Sequence, residues 1–95
     1  MMKYKSLKFN IYSDPGHGWA KVPVILLNKL GIRDKITTYS YFRNDSAYLE
    51  EDVDLSTFIS ACKANGIQPI FTEKVTNKAS KIRSYSYYPY YKRVA

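Results

Sequence analysis

Residues 7–23 read Leu7-Lys8-Phe9-Asn10-Ile11-Tyr12-Ser13-Asp14-Pro15-Gly16-His17-Gly18-Trp19-Ala20-Lys21-Val22-Pro23, and the fold follows from how this stretch is divided. Leu7, Phe9 and Ile11 alternate with Lys8, Asn10 and Tyr12, which is the period of a half-buried strand. Asp14-Pro15-Gly16-His17-Gly18 breaks that alternation, because one proline and two glycines enforce a loop. Pro23 suits the first turn of a helix, where its missing N–H costs nothing. The stretch therefore divides into strand, loop and helix start. The helix should run to about Leu30, with Gly31 as its left-handed cap and Ile32 folding back on the last turn.

Downstream, Ile36–Arg43 and Ala47–Glu50 form an expected hairpin around Asn44-Asp45, two residues that tolerate positive φ. Asp52 or Asp54 caps a second helix, in which Leu55, Phe58, Ile59 and Cys62 follow i, i+3, i+4, i+7 spacing. Asn65-Gly66-Ile67 closes that helix as Leu30-Gly31-Ile32 closes the first. Ile67–Val75 reads as a fourth strand, which Pro69 pushes toward a sheet edge. The order β-α-β-β-α-β predicts an α+β fold of the split, ferredoxin-like kind: an antiparallel sheet with both helices on one face. Its core should unite Leu7, Phe9, Ile11, Ile25, Leu26, Leu30, Ile36, Leu49, Leu55, Phe58, Ile59, Ile67 and Ile70. Residues 1–75 make this compact domain. Residues 76–95 form a basic, Tyr-rich extension: a loop, an edge strand over Ile82–Tyr87, then a frayed tail from Tyr88.

Ninety-five residues suffice for one domain with a modest core. Ten tyrosines in that length are unusual, and the net charge of +7 is unevenly spread. Residues 1–43 carry eight basic and two acidic side chains, residues 44–73 one basic and six acidic, and residues 74–95 six basic and none acidic. The molecule resembles a dipole more than a polycation, which favours a directed electrostatic contact over uniform coating of nucleic acid. Cys62, the only cysteine, has no internal partner. It falls on the apolar stripe of the second helix, where a buried, inert thiol in a reducing cytoplasm is expected. The longest apolar run, Val22–Leu27, contains Pro23 and is far too short to span a bilayer, so no membrane association is expected. Neither a complete catalytic motif nor metal-ligand spacing is present, and no cofactor is expected.

Three groups of residues are candidates for function. The loop Ser13–Trp19 holds the only His and the only Trp. In a catalytic reading His17 is a general base oriented by Asp14, with Ser13 or Glu50-Glu51-Asp52 assisting. In a structural reading the glycines permit a tight turn and Trp19 plugs the edge of the core. The run Glu50-Glu51-Asp52-Val53-Asp54 suits the positive end of a helix dipole; a hard-cation site and mimicry of nucleic-acid phosphates are the alternatives. Tyr39, Tyr41 and Arg43 share one strand face, which Tyr12 and Tyr48 can join. With Lys78, Lys81, Arg83, Tyr85, Tyr87, Lys92 and Arg93 they make the expected binding set. Such a mixture serves base stacking with phosphate contact and equally serves a protein interface, where Tyr and Arg are favoured anchors.

Taken together, Ser13-Asp14-Pro15-Gly16-His17-Gly18-Trp19, Lys21-Val22-Pro23, Leu30-Gly31-Ile32, Tyr48-Leu49-Glu50-Glu51-Asp52 and Lys81-Ile82-Arg83-Ser84-Tyr85 resemble a group of small tailed-phage accessory proteins of unassigned role, over about residues 3–88. Val53 departs from the cysteine usual there, and nothing corresponds to Tyr87 onward. The resemblance carries no catalytic residue. It implies a phage accessory protein in the host bacterial cytoplasm. The reading that follows is a non-enzymatic protein that binds and modulates a host protein or nucleoprotein, including a counter-defence role of the anti-CRISPR kind. The alternative is direct DNA or RNA binding through the basic C-terminal segment, and a weaker one is a small hydrolase using His17. Oligomeric state is not legible.

Overall fold

In the computed structural model, which describes residues 5–88, the alternating segment forms strand β1 (Lys5–Ser13) as expected. The backbone then departs from the strand–loop–helix division. After the Asp14–His17 turn, Gly18–Pro23 folds back as a second strand, β2, antiparallel to β1 with Ile11 opposite Ala20 and Tyr12 opposite Trp19. Both faces of β2 are covered: Trp19, Ala20 and Val22 are all buried. A strand buried on both sides shows no polar alternation, so its period was not readable.

Pro23 does precede a helix, the short α1 (Val24–Lys29). Gly31 (φ 73°) ends it with the expected fold-back. The N–H of Ile32 reaches the carbonyl of Leu27 at 3.0 Å and that of Gly31 the carbonyl of Asn28 at 3.0 Å, a Schellman closure. The hairpin is shorter than expected, with β3 (Tyr41–Arg43) and β4 (Ser46–Glu50). Its turn has positive φ at both Asn44 and Asp45, the type I′ geometry that matches strand twist. Residues 36–40 are not extended into a strand, because Asp54 holds them. Its fully buried carboxylate accepts from the Thr37 N–H and hydroxyl and from the Ser40 hydroxyl. Asp54 is thus the first residue of α2 (Asp54–Ala64) without capping it. The cap is Glu50, whose carboxylate accepts from the N–H groups of Asp52, Val53 and Asp54. Gly66 (φ 71°) closes α2 and leads into β5 (Ile67–Val75).

The six strands lie in the order β5-β1-β2-β4-β3-β6, where β6 is Ser86–Tyr87. β5 runs parallel to β1 along all nine residues, and the other pairings are antiparallel. The fold is α+β, but the sheet is mixed, and the antiparallel ferredoxin-like arrangement expected from element order is corrected accordingly. The unread strand is the cause: β2 occupies one side of β1, and β5 takes the other.

Register divides the sheet into two faces. Phe9, Val22, Ala47, Leu49 and Phe71 meet Leu27 of α1 and Phe58 and Cys62 of α2 in the main core, so both helices cover one face, as expected. Five residues assigned to that core are not in it: Ile25 is 65% and Ile70 40% exposed, and Leu7, Ile11 and Ile59 are half-buried outside the main cluster. Ile25 lies on the solvent side of a helix with one buried residue, Leu27. Tyr88, expected to fray, is instead buried in the main core. Its hydroxyl donates to the Arg33 carbonyl and its N–H to the Ser40 carbonyl, both at 2.8 Å.

The helix-free face carries Tyr12, Trp19, Tyr41 and Tyr48. Here the segment that follows β5 returns across the sheet. A single 3-10 turn, Lys81–Ser84, replaces the expected edge strand over that stretch and sets Ile82 on Trp19 and Tyr48 in a second apolar cluster. Only Ser86–Tyr87 then pairs, with β3, at the opposite edge from β5.

Candidate functional site: an aromatic cleft on the helix-free face

The Ser13–Trp19 loop is organised by the Asp14 carboxylate. Oδ1 accepts from the N–H groups of Gly16 (2.9 Å) and His17 (3.0 Å) and from Arg83 Nη2 (2.9 Å). Oδ2 accepts from the Ser80 N–H (2.8 Å) and Arg83 Nε (2.7 Å). One buried carboxylate thus shapes its own turn and clamps the returning C-terminal segment 66–69 residues away. The Arg83 guanidinium and the converging N–H groups hold the Asp14 carboxyl well below the usual carboxylate range. A Cβ at Gly16 would come within 2.9 Å of Arg83 Nη2, so a side chain there would have to displace the clamped guanidinium.

This geometry removes the role that Asp14 had in the catalytic reading. Its oxygens are taken by backbone N–H groups and by Arg83, and none bonds the His17 imidazole. His17 is exposed, with its ring 6.0 Å from that of Trp19. Ser13 donates to Glu73 at 2.9 Å. Trp19 is 3% exposed, though it lies under Ile82 on a central strand and does not plug an edge of the main core.

Around this clamp lies a cleft of about 420 Å³, lined by His17, Trp19, Thr38, Tyr39, Tyr41, Glu50, Asp52, Val53, Arg83 and Tyr87. It gathers residues from β2, β3, β4, β6 and the loops at one end of the sheet. Its aromatic wall is continuous: Trp19 meets Tyr41 edge-on at 6.0 Å, and Tyr41 stacks on Tyr87 at 5.6 Å and 20°. The Arg83 guanidinium lies 5.3 Å from the centre of the Trp19 ring. Tyr39 and Tyr87 stand at the rim, 71% and 70% exposed.

Of the expected binding set, Tyr39, Tyr41, Arg83 and Tyr87 meet in this cleft, together with His17 and Trp19 from the loop. Arg43 and Tyr85 lie apart, with the guanidinium 4.9 Å from the Tyr85 ring centre and Tyr85 edge-on to Tyr48 at 5.0 Å. Lys78 and Lys81 line a separate depression with Tyr12, Lys74 and Thr76. Lys81 also joins Lys21, Tyr48 and Tyr85 in another. Lys92 and Arg93 lie outside the described residues. The uneven charge of the sequence therefore reappears on one face, with Glu50 and Asp52 at the cleft and lysines alone at the other depressions.

Sequence reasoning grouped Glu50 and Asp52 with His17 in its catalytic reading, and both line the cleft with it, but it missed that they share that cleft with Tyr39, Tyr41 and Tyr87. It also missed Ile82 as the plug. One signal for the plug was available: Ile82 is the only large aliphatic residue between Val75 and Val94. Among the described residues, no group of three or more His, Cys, Asp or Glu is arranged to hold a metal ion, and no helix is long and apolar enough to cross a membrane. No family model, curated protein or solved structure matches the sequence.

Proposed function

We propose that this protein is a non-enzymatic binding protein, a phage accessory protein acting in the host bacterial cytoplasm, that engages a host protein through the aromatic cleft and modulates it by occupying a surface. The observation that carries this reading is the cleft wall. Trp19 and Tyr41 are held rigidly by packing, and beside them two tyrosines stand exposed at the rim. Aromatic side groups with few rotatable bonds give large contact area at low entropic cost, which is why they dominate protein interfaces. A nucleoprotein of a bacterial defence system is one target that suits a small blocking protein of this kind.

The test is capture from bacterial lysate, with and without nuclease, using the full-length protein and its Tyr39→Ala/Tyr87→Ala variant. Both substituted residues are exposed, so the variant should fold. Capture of a host protein that survives nuclease and is lost in the variant supports the reading. Capture that the variant retains would refute the cleft as the contact surface.

A second reading has its own support. Lys21, Lys74, Lys78 and Lys81 border Tyr12, Tyr48 and Tyr85 without an acidic neighbour in the same depressions, a composition that suits a nucleic-acid backbone. The rings there are less available, since Tyr48 is buried and Tyr85 packs against it and against Arg43. Titration of labelled duplex and single strands at two salt concentrations separates the readings. Under the leading reading, binding at physiological salt stays in the range of about 10⁻⁴–10⁻⁶ M expected of nonspecific contacts.

A further inference from the structure

We infer that the cleft accepts a cationic group, an arginine presented by the host protein; this rests on the binding reading above and names the chemistry of the contact. The first observation is charge. Arg83, the one Lys or Arg among the described residues lining the cleft, is already neutralised by Asp14 through two hydrogen bonds. The acidic side chains lining the cleft are Glu50 and Asp52. Glu50 is committed to the start of α2, whereas Asp52 is exposed and its carboxylate accepts no hydrogen bond from the described residues. The cleft therefore presents an uncompensated negative rim, which repels phosphate and attracts a cation.

The second observation is the rings. Tyr39 and Tyr87 are exposed and line the same cleft as Asp52, so a group entering the cleft is offered both ring faces and a carboxylate. A guanidinium is suited to both, being planar for stacking and forked for a carboxylate. The protein itself shows that its rings accept this partner: Arg83 sits over Trp19 and Arg43 over Tyr85. Two aromatic rings on this face are thus already covered by internal guanidinium groups, while Tyr39 and the face of Tyr87 turned away from Tyr41 remain open at the cleft rim.

The experiment titrates the full-length protein with a hexapeptide of alternating Arg and Gly, followed by amide chemical shifts and by the fluorescence of Trp19. Hexapeptides of alternating Asp and Gly, and hexathymidylate, serve as controls. The expected result is saturable shifts confined to residues around the cleft with the arginine peptide alone. Asp52→Lys should weaken that binding by about tenfold, and Tyr39→Ala by about two- to fivefold, as expected for one exposed carboxylate contact and one exposed cation–π contact. Absence of cleft shifts at millimolar arginine peptide, equal binding of the aspartate peptide or of hexathymidylate, or indifference to Asp52→Lys would each overturn the inference. The binding reading is judged separately. If a captured host protein still depends on Tyr39 and Tyr87 but not on Asp52, the arginine inference falls alone. If capture ignores the tyrosines, both fall.

Discussion

Ile82→Ala and Ile25→Ala delete the same atoms from two isoleucines whose roles are the reverse of what their sequence surroundings suggest. Ile82 sits in a basic, polar segment and is 3% exposed, wedged on Trp19 and Tyr48; Ile25 sits in the most apolar run of the sequence and is 65% exposed. Truncating a buried isoleucine costs about 2–5 kcal/mol, with the cost rising as the cavity fails to collapse. The cluster around Ile82 is small and flanked by partly exposed Tyr12, Tyr41 and Tyr85, which can relax inward, so the lower half of that range applies, about 2–3 kcal/mol. At Ile25 the expected change is within about 0.5 kcal/mol. For a domain of this size, total stability of about 5–14 kcal/mol leaves the Ile82→Ala protein folded. Urea unfolding should show its midpoint lowered by about 1–2 M with an unchanged slope, and Trp19 emission in the folded state should shift to longer wavelength as its cover is removed. Equal midpoints for the two variants, or an Ile82→Ala protein as stable as the wild type, would refute the packing of the C-terminal segment on the sheet.

Three further outcomes follow from the loop and the core. Trp19→Ala should cost about 3–5 kcal/mol in the same unfolding assay, whereas His17→Ala, at an exposed side chain, should unfold like the wild type; a His17→Ala protein that still captures the host protein but has lost its biological effect would favour the catalytic reading instead. The Asp14 carboxyl has its folded-state pKa lowered from the ordinary 3.8, chiefly by Arg83, so its contribution is fully present above that value and declines as pH falls below about 4. Asp14→Asn should therefore destabilise the protein at pH 7 and flatten its acid dependence below about pH 4, read by thermal melts across pH. Burial pushes the Cys62 thiol up to about 11, so iodoacetamide at about pH 8 should leave it unmodified in the folded protein and label it fully in urea.

Local chemistry was legible where a residue acts on its own neighbourhood. Gly31 and Gly66 cap their helices, Asn44 and Asp45 take the positive φ of a tight hairpin, and Pro69 lies in an edge strand, all from properties of those residues alone. The 3.6-residue spacing of α2 likewise placed Phe58 and Cys62 in the core. What escaped reading depends on distant partners. Trp19–Val22 carried no readable strand period because Ile82 and Arg83 cover one face of β2 while α1 and α2 lie over the other. Asp14 looked like a partner for His17, three residues away, but the carboxylate selects Arg83, 69 residues away, which brings two formal charges and a forked geometry together. Glu50, not Asp52 or Asp54, caps α2, because β4 delivers its carboxylate to the helix start while Asp54 turns inward to Thr37 and Ser40. The cleft was legible in its parts: its tyrosines, Arg83, His17 and the Glu50–Asp52 run were each singled out, but their meeting in one cleft depends on the return of the C-terminal segment across the sheet.

The claim that the cleft is a protein-binding surface is tested most directly by placing a photo-crosslinking amino acid at position 39, at the cleft rim, and separately at position 25, on the opposite, helix-bearing side of the sheet. Irradiation in bacterial cells followed by mass spectrometry identifies what each position touches. A host protein joined reproducibly at position 39 and absent at position 25 is the predicted result; adducts to nucleic acid at position 39, or the same protein joined equally at both positions, would contradict it.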